Sequence, residues 1–282
     1  MELLNTWLRE IQHNGRGIEL YGSLGIFCTI LMWSALLFYT LRQRINPLKT
    51  IPVMYIVYYF LIYAQHLMTW YRRDFNLTGY KGTANVGYAF VLLPLVCWLC
   101  DKTFNLTDGT SGELAAVTTL AWHFFGRSVC TFSGCCHGIP CRWGIYTHYL
   151  DKNAFPVCWL ESLFTLGILI FLVVRILRRD LLPEDGKPRP RLLAWFYSKR
   201  RQPDDGKVLP YMLLFYGIGR FFSEFLRYHP EEDILFGFLP EFSIHALLMV
   251  LVGGLLLYRK VKKEKATSVE EPSLPELRAT RR

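Results

Sequence analysis

Seven runs of apolar residues, each close to the length that crosses a bilayer, dominate this sequence. They cover residues 18–41, 51–70, 84–100, 113–130, 157–177, 208–228 and 240–258. About 20 apolar residues in a helix span the hydrocarbon core. The runs therefore predict an all-α, polytopic membrane protein with about seven transmembrane helices. Composition agrees, because 52% hydrophobic and 16% aromatic residues exceed what a water-soluble chain of this size carries. The third and fourth runs are the shortest. The second is rich in tyrosine and holds Gln65 and His66, which points it toward other helices. No internal repeat of the kind that builds many transporters is visible.

The net charge of +9 sits in basic blocks between the apolar runs. That arrangement suits anionic lipid headgroups, and no basic recognition helix or finger motif argues for nucleic acid. Lysine and arginine collect on the cytoplasmic side of membrane proteins. With the N-terminus outside, 22 of them fall in inside segments and 7 in outside segments. The expected organisation is an external segment 1–17, a transmembrane domain 18–258 and a basic cytoplasmic tail 259–282 without fixed structure. The first seventeen residues carry Glu2 and Glu10 and do not read as a cleavable signal.

Charged residues inside the runs carry the chemistry. A charge at the centre of a span costs roughly 2.5–3.5 kcal/mol on insertion scales. The stretch "GRFFSEFLR" places Arg220, Glu224 and Arg227 at i, i+4 and i+7, on one helical face. His123 and Arg127 repeat the i, i+4 spacing. Two facing arginines, one steadied by Glu224, make a clamp for phosphate oxygens. The blander reading is a structural ion pair, with Arg227 reaching for the interface. Glu161, near the start of the fifth run, either complements the helix dipole or anchors an arginine such as Arg127 or Arg142. Ser243 and His245 read as packed polar residues.

The stretch "GRSVCTFSGCCHG", residues 126–138, adds cysteines at the edge of the fourth run. Cys130, Cys135, Cys136, His137 and Cys141 follow no zinc-finger spacing. Three readings stand: packing, a disulfide such as Cys130 or Cys136 with Cys141, or a metal site. No ATP or nicotinamide pattern is present, and no cofactor is expected.

These motifs resemble the prolipoprotein diacylglyceryl transferases of bacterial membranes, over about residues 18–258. Gly126-Arg127, followed by Cys130, Gly134, Cys135, Cys136 and Gly138, is similar to that family's glycine-rich arginine motif in its cysteine-bearing form. "YGIGRFFSEFLR" resembles its second motif at Tyr216, Gly217, Arg220, Phe221, Glu224, Phe225 and Arg227. Pro156 and Glu161 match the start of its fifth span, with Cys158 and Leu160 departing, and Tyr21-Gly22 is similar to its first-span pair. The resemblance implies seven spans in a bacterial plasma (inner) membrane. It implies phosphatidylglycerol as donor and a prolipoprotein signal-region cysteine as acceptor. It assigns catalysis to Arg127, Arg220 and Glu224. Substrate binding falls to Arg127, Arg220, Arg227, Tyr21, Glu161, Gly134 and Gly138. The family's His-Gly-Gly element is represented by "GTANVGYAF", which keeps Gly87 and lacks the histidine. His123 and His137 are then the candidate bases. Competing readings are a relative with another acceptor, a non-catalytic headgroup-binding membrane protein, and a membrane thiol or metal protein.

Overall fold

The computed structural model describes residues 1–42, 45–75, 87–134, 136–180, 206–229, 234–235 and 237–270. Cys135, the side chains of Tyr21, Gln65 and His66, and most of the basic loop 175–207 lie outside the described residues. The chain is mostly helical. Its helices are α1 (Glu2–His13), α2 (Arg16–Arg42), α3 (Pro47–Phe75), α4 (Gly87–Thr103) and α5 (Thr110–Ser133), then α6 (Val157–Asp180), α7 (Val208–Glu224) and α8 (Glu241–Glu270). Strands β1 (Pro140–Thr147) and β2 (Lys152–Ala154) form one antiparallel pair between α5 and α6. Strands β3 (Ile234–Leu235) and β4 (Leu239–Pro240) form a smaller pair before α8.

Each apolar run contains a helix. Among the described residues, four stretches are long and apolar enough to cross a membrane: Arg16–Ser34, Pro47–Ala64, Val157–Leu177 and Phe242–Ala266. The other three differ for physical reasons. Helices α4 and α7 have 17 residues each, which at 1.5 Å per residue falls short of a hydrocarbon core about 30 Å thick. Helix α5 is long enough but carries Glu113, His123, Arg127 and several threonines. The apolar side chains are arranged as lipid requires. Ile26, Phe27 and Ile30 of α2, Ile170 of α6 and Leu251 and Leu255 of α8 face outward. One internal core draws on α3 through α8, with Val53, Phe90, Leu93, Leu120, Leu172, Met212 and Met249 at its centre.

Three features differ from the sequence expectation. The fold is not purely helical, because "PCRWGIYT" pairs with "KNA" in a bulged hairpin. The β-branched and aromatic residues of that stretch favour a strand. Helix α8 continues past residue 258 to Glu270, through "RKVKKEK", where helix-favouring lysines follow without a breaker. Lys207 holds that extension through Glu264 at 2.6 Å. Helix α7 stops at Glu224, so Arg227 lies beyond it. The amides of Leu226 and Arg227 donate to carbonyls three residues back, and Ile139 N–H then takes the Leu226 carbonyl at 3.0 Å. Gly138 and Arg227 form an isolated antiparallel bridge. Main-chain pairing with the α5–α6 connection thus replaces the last helical turn.

Helix α5 is fixed at both ends. Asp101, at the end of α4, accepts from the amides of Gly109 and Ser111, each at 2.8 Å. These are donors that a helix start leaves without partners. At the far end Gly134 adopts a left-handed conformation, φ 69°, and its amide returns to the Cys130 carbonyl at 3.0 Å. The α1 helix then clamps this end to the hairpin. Buried Gln12 donates to the Thr131 carbonyl at 3.0 Å and accepts from the His148 amide at 2.9 Å. Asn5 accepts from the Tyr146 amide at 2.9 Å. Gln12→Ala is expected to cost about 1–3 kcal/mol, because it strands buried backbone groups on two elements. Hydrogen exchange in β1 that quickens while α6 stays protected would be the readout.

Candidate active site

Glu161 is the centre of the site. It lies one turn into α6 and is buried. Arg127 from α5 approaches it through Nε, 3.1 Å from Oε2. Arg227 donates twice, Nη2 to Oε2 at 2.6 Å and Nε to Oε1 at 3.2 Å. Arg220 from α7 donates through Nη1 to Oε1. Ser223 Oγ donates to the same oxygen at 3.0 Å. The sequence left open whether Glu161 served the helix dipole or an arginine. It holds three arginines, and Arg142 is not among the partners of its carboxylate.

Glu224, completely buried, forms a second anionic centre. Its Oε2 is 2.8 Å from Arg220 Nη2 and 3.7 Å from Arg227 Nε, and its Oε1 is 3.3 Å from His229 Nε2. None of these contacts is aligned as a hydrogen bond to the carboxylate, so Glu224 acts on them through charge alone. His229 instead donates to the Glu224 backbone carbonyl at 2.9 Å. Arg220 thus bridges both carboxylates. Among the described residues three arginines meet two glutamates, a formal excess of one positive charge.

His123 sits behind Arg127. Its Nε2 receives Arg127 Nε–H at 3.3 Å and Tyr216 O–H at 2.7 Å. A guanidinium can only donate, so Nε2 is the acceptor and the ring proton is on Nδ1. That Nδ1 is buried with no hydrogen-bond partner among the described residues. His137, the other candidate base, lies away from the carboxylates. Its Nδ1 is 3.3 Å from the Gly134 carbonyl, and its ring neighbours Tyr149 and Tyr228. Burial pushes the His137 imidazole below the ordinary histidine range, and His148 on the hairpin is shifted the same way. Both are therefore neutral near pH 7.

Arg127 has a further partner that the sequence did not reveal. Its Nη1 donates to Cys136 Sγ at 3.1 Å. Cys130, Cys136 and Cys158 pack together with Val157, Phe155 and Leu226. The seven described cysteines are in the thiol form, and among the described residues no group of three His, Cys, Asp or Glu side chains is arranged to hold a metal.

The two candidate glycines have backbone reasons to be glycine. At Gly134 a Cβ would stand 2.8 Å from Gln12 Oε1, on top of the left-handed φ. At Gly138 it would stand 2.6 Å from the Phe155 carbonyl oxygen and 2.7 Å from that of Leu226. Gly138 is thus the thin plate between two connections that must touch for Arg227 to reach Glu161. Tyr21 lies on α2. The structure therefore joins Arg127, Glu161, Arg220, Glu224, Arg227 and His123 in one cluster, with His137 on its rim. Ser223 and His229 carried no signal in the sequence. Tyr216 did, as part of the second motif, though its service to His123 did not.

No family model matches the chain. Over 152 residues, 51% of this chain, it is 29% identical to phosphatidylglycerol–prolipoprotein diacylglyceryl transferase 2 of Clostridium perfringens (strain 13 / Type A). The match covers 49% of that relative, so the chain spans about half the length of the curated protein it matches. The likeness suggests a transferase of that kind.

Proposed function

We propose that this protein transfers a diacylglyceryl group from phosphatidylglycerol to the lipobox cysteine thiol of a prolipoprotein. The observation that carries the reading is the arginine cluster: Arg127, Arg220 and Arg227 around Glu161 and Glu224, with one positive charge in excess. A phosphodiester headgroup carries one negative charge and would complete that balance. The relative's name and the two arginine motifs support the same donor and acceptor.

In this reading seven spans cross a bacterial plasma membrane with the N-terminus outside, the transmembrane domain covers 18–258, and the site lies at the outer face. Arg127 and Arg220 hold the headgroup phosphate, with Arg227, Glu161 and Tyr21 completing the binding surface and Gly134 and Gly138 shaping the loop. The acceptor thiolate attacks the glyceryl carbon next to the phosphate. A carbon–sulfur bond forms, the carbon–oxygen bond to phosphate breaks, and glycerol phosphate leaves. Charge grows on the departing phosphate, and arginines already fixed in a dry site stabilise it without reorganising. Glu224 orients Arg220. The thiol proton goes to a base, and of the two candidate histidines His123 is the one within the cluster. Its accepting nitrogen is taken by Arg127 and Tyr216 until one of them yields.

The test is reconstitution with phosphatidylglycerol and a lipobox peptide, with the diacylglyceryl adduct read by mass spectrometry. An adduct that Arg127→Ala and Arg220→Ala both abolish is expected. Bound phosphatidylglycerol without an adduct would replace the transferase with a headgroup-binding protein.

A further inference from the structure

Cys136 and Cys158 lie 22 residues apart in the chain, and the hairpin between them brings them together. Cys158, in the first turn of α6, donates its S–H to the Cys136 carbonyl at 2.7 Å. Its side chain also packs in one cluster with those of Cys136 and Cys130. Cys136 Sγ in turn accepts from Arg127 Nη1 at 3.1 Å. Cys141, the partner that sequence spacing first suggested, is not part of this group and borders Gly144 instead.

We propose that Cys136 and Cys158 form a dithiol oxidation site, which closes to a disulfide under a peroxide-class oxidant and disables the arginine cluster. The two thiols are unequal in the way such chemistry needs. The thiolate is the reactive species, and a neighbouring guanidinium favours it. Cys136 has that neighbour and is only half-buried. Cys158 is buried against it and serves as the resolving thiol. Cys130 is buried too, so Cys136 is the more accessible of the two thiols packed with Cys158 and is the one that meets the oxidant first.

The steps balance. The Cys136 thiolate attacks one oxygen of hydrogen peroxide, giving a sulfenic acid and hydroxide, which takes the thiol proton to become water. The Cys158 sulfur attacks the sulfenic sulfur, and the hydroxyl leaves with the Cys158 proton as a second water. Two thiols lose two electrons and peroxide gains them. The Cys136 sulfur is drawn from Arg127 toward α6, and Cys136 is bolted to the helix that carries Glu161, three residues beyond Cys158. Loss of transfer activity rests on the function proposed above, whereas the bond itself does not.

The experiment uses the full chain in phosphatidylglycerol nanodiscs. A hydrogen peroxide pulse is followed by alkylation of remaining thiols, proteolysis and mass spectrometry, with lipid binding and adduct formation measured in parallel. The expected result is a Cys136–Cys158 cross-linked peptide, with an at least tenfold loss of transfer and of phosphatidylglycerol binding that dithiothreitol reverses. Cys141→Ser keeps the cross-link. In Cys158→Ser the cross-link is absent and Cys136 is trapped by dimedone as its sulfenic acid. A wild-type cross-link to Cys130 or Cys141 in its place, no cross-link, or a Cys136–Cys158 bond with binding unchanged would each overturn the proposal. A protein that makes no adduct before treatment, yet forms the bond and loses lipid binding under peroxide, would overturn the transferase reading and leave this one standing.

Discussion

Glu161→Gln is expected to destabilise the protein more than any other single substitution in the site. The amide keeps the shape and removes the charge that Arg127, Arg220 and Arg227 share. Removing one partner of a buried ion pair costs about 3–5 kcal/mol, because the remaining charge is left buried and uncompensated. Here three guanidinium groups would be left with Glu224 alone. Folded proteins carry a margin of about 5–15 kcal/mol, so the loss would consume much of it. The check is the thermal midpoint and the yield of monodisperse protein in detergent. A large drop that added phosphatidylglycerol does not rescue is expected. A variant as stable as the wild type would mean that something other than Glu161 neutralises the arginines.

Arg127→Lys separates position from charge. The guanidinium serves three partners at once: Glu161 through Nε, His123 through the same nitrogen, and Cys136 through Nη1. An ammonium at the end of a flexible chain cannot reproduce that fork. Charge is kept, so the folded state should survive where Glu161→Gln does not. The turnover number for adduct formation is expected to fall about 10²–10³-fold, as when one preorganised donor to a developing anion is lost. Steady-state kinetics in vesicles with varied phosphatidylglycerol would read it. A rise in KM with kcat unchanged would place Arg127 in uniform substrate binding and not in stabilisation of the departing phosphate.

The long elements were legible because lipid leaves few options. A run such as 157–177 or 240–258 has only helix open to it, and α6 and α8 follow those runs. The end of α7 was not legible. Arg220, Glu224 and Arg227 keep helical spacing, yet the chain leaves the helix at Glu224, because the backbone of residues 226–227 finds partners on 138–139. Those partners lie almost ninety residues earlier in the sequence, and local periodicity carries no trace of them. Arg227 reaches Glu161 all the same, by a route that the i, i+7 pattern did not describe. Glu161 itself was visible from the residues as a carboxylate near a helix start, which is ambiguous by nature, and from the resemblance as one substrate-binding residue among several. Its rank as the hub depends on three elements arriving around α6. The Cys136–Cys158 contact is of the same kind: the spacing rules weighed neighbours inside 130–141, and the hairpin brought in a thiol from outside.

The order in which the Glu161 hub is synthesised gives it a history. Chains emerge from the N-terminus, so Arg127 exists before Glu161, and Arg220 and Arg227 are made roughly sixty residues later. During that interval α6 must be held at the membrane with a carboxylate served by one of its three eventual arginines. Helix α7 then arrives carrying Arg220 in a segment of 17 residues, with Arg227 just beyond its end. Under the seven-span topology proposed above, each half supplies the charge that the other needs in order to enter the bilayer. Under that topology, insertion of α7 and completion of the site are one event, and a chain stalled between them would be recognisable to quality control by an acid waiting for its bases.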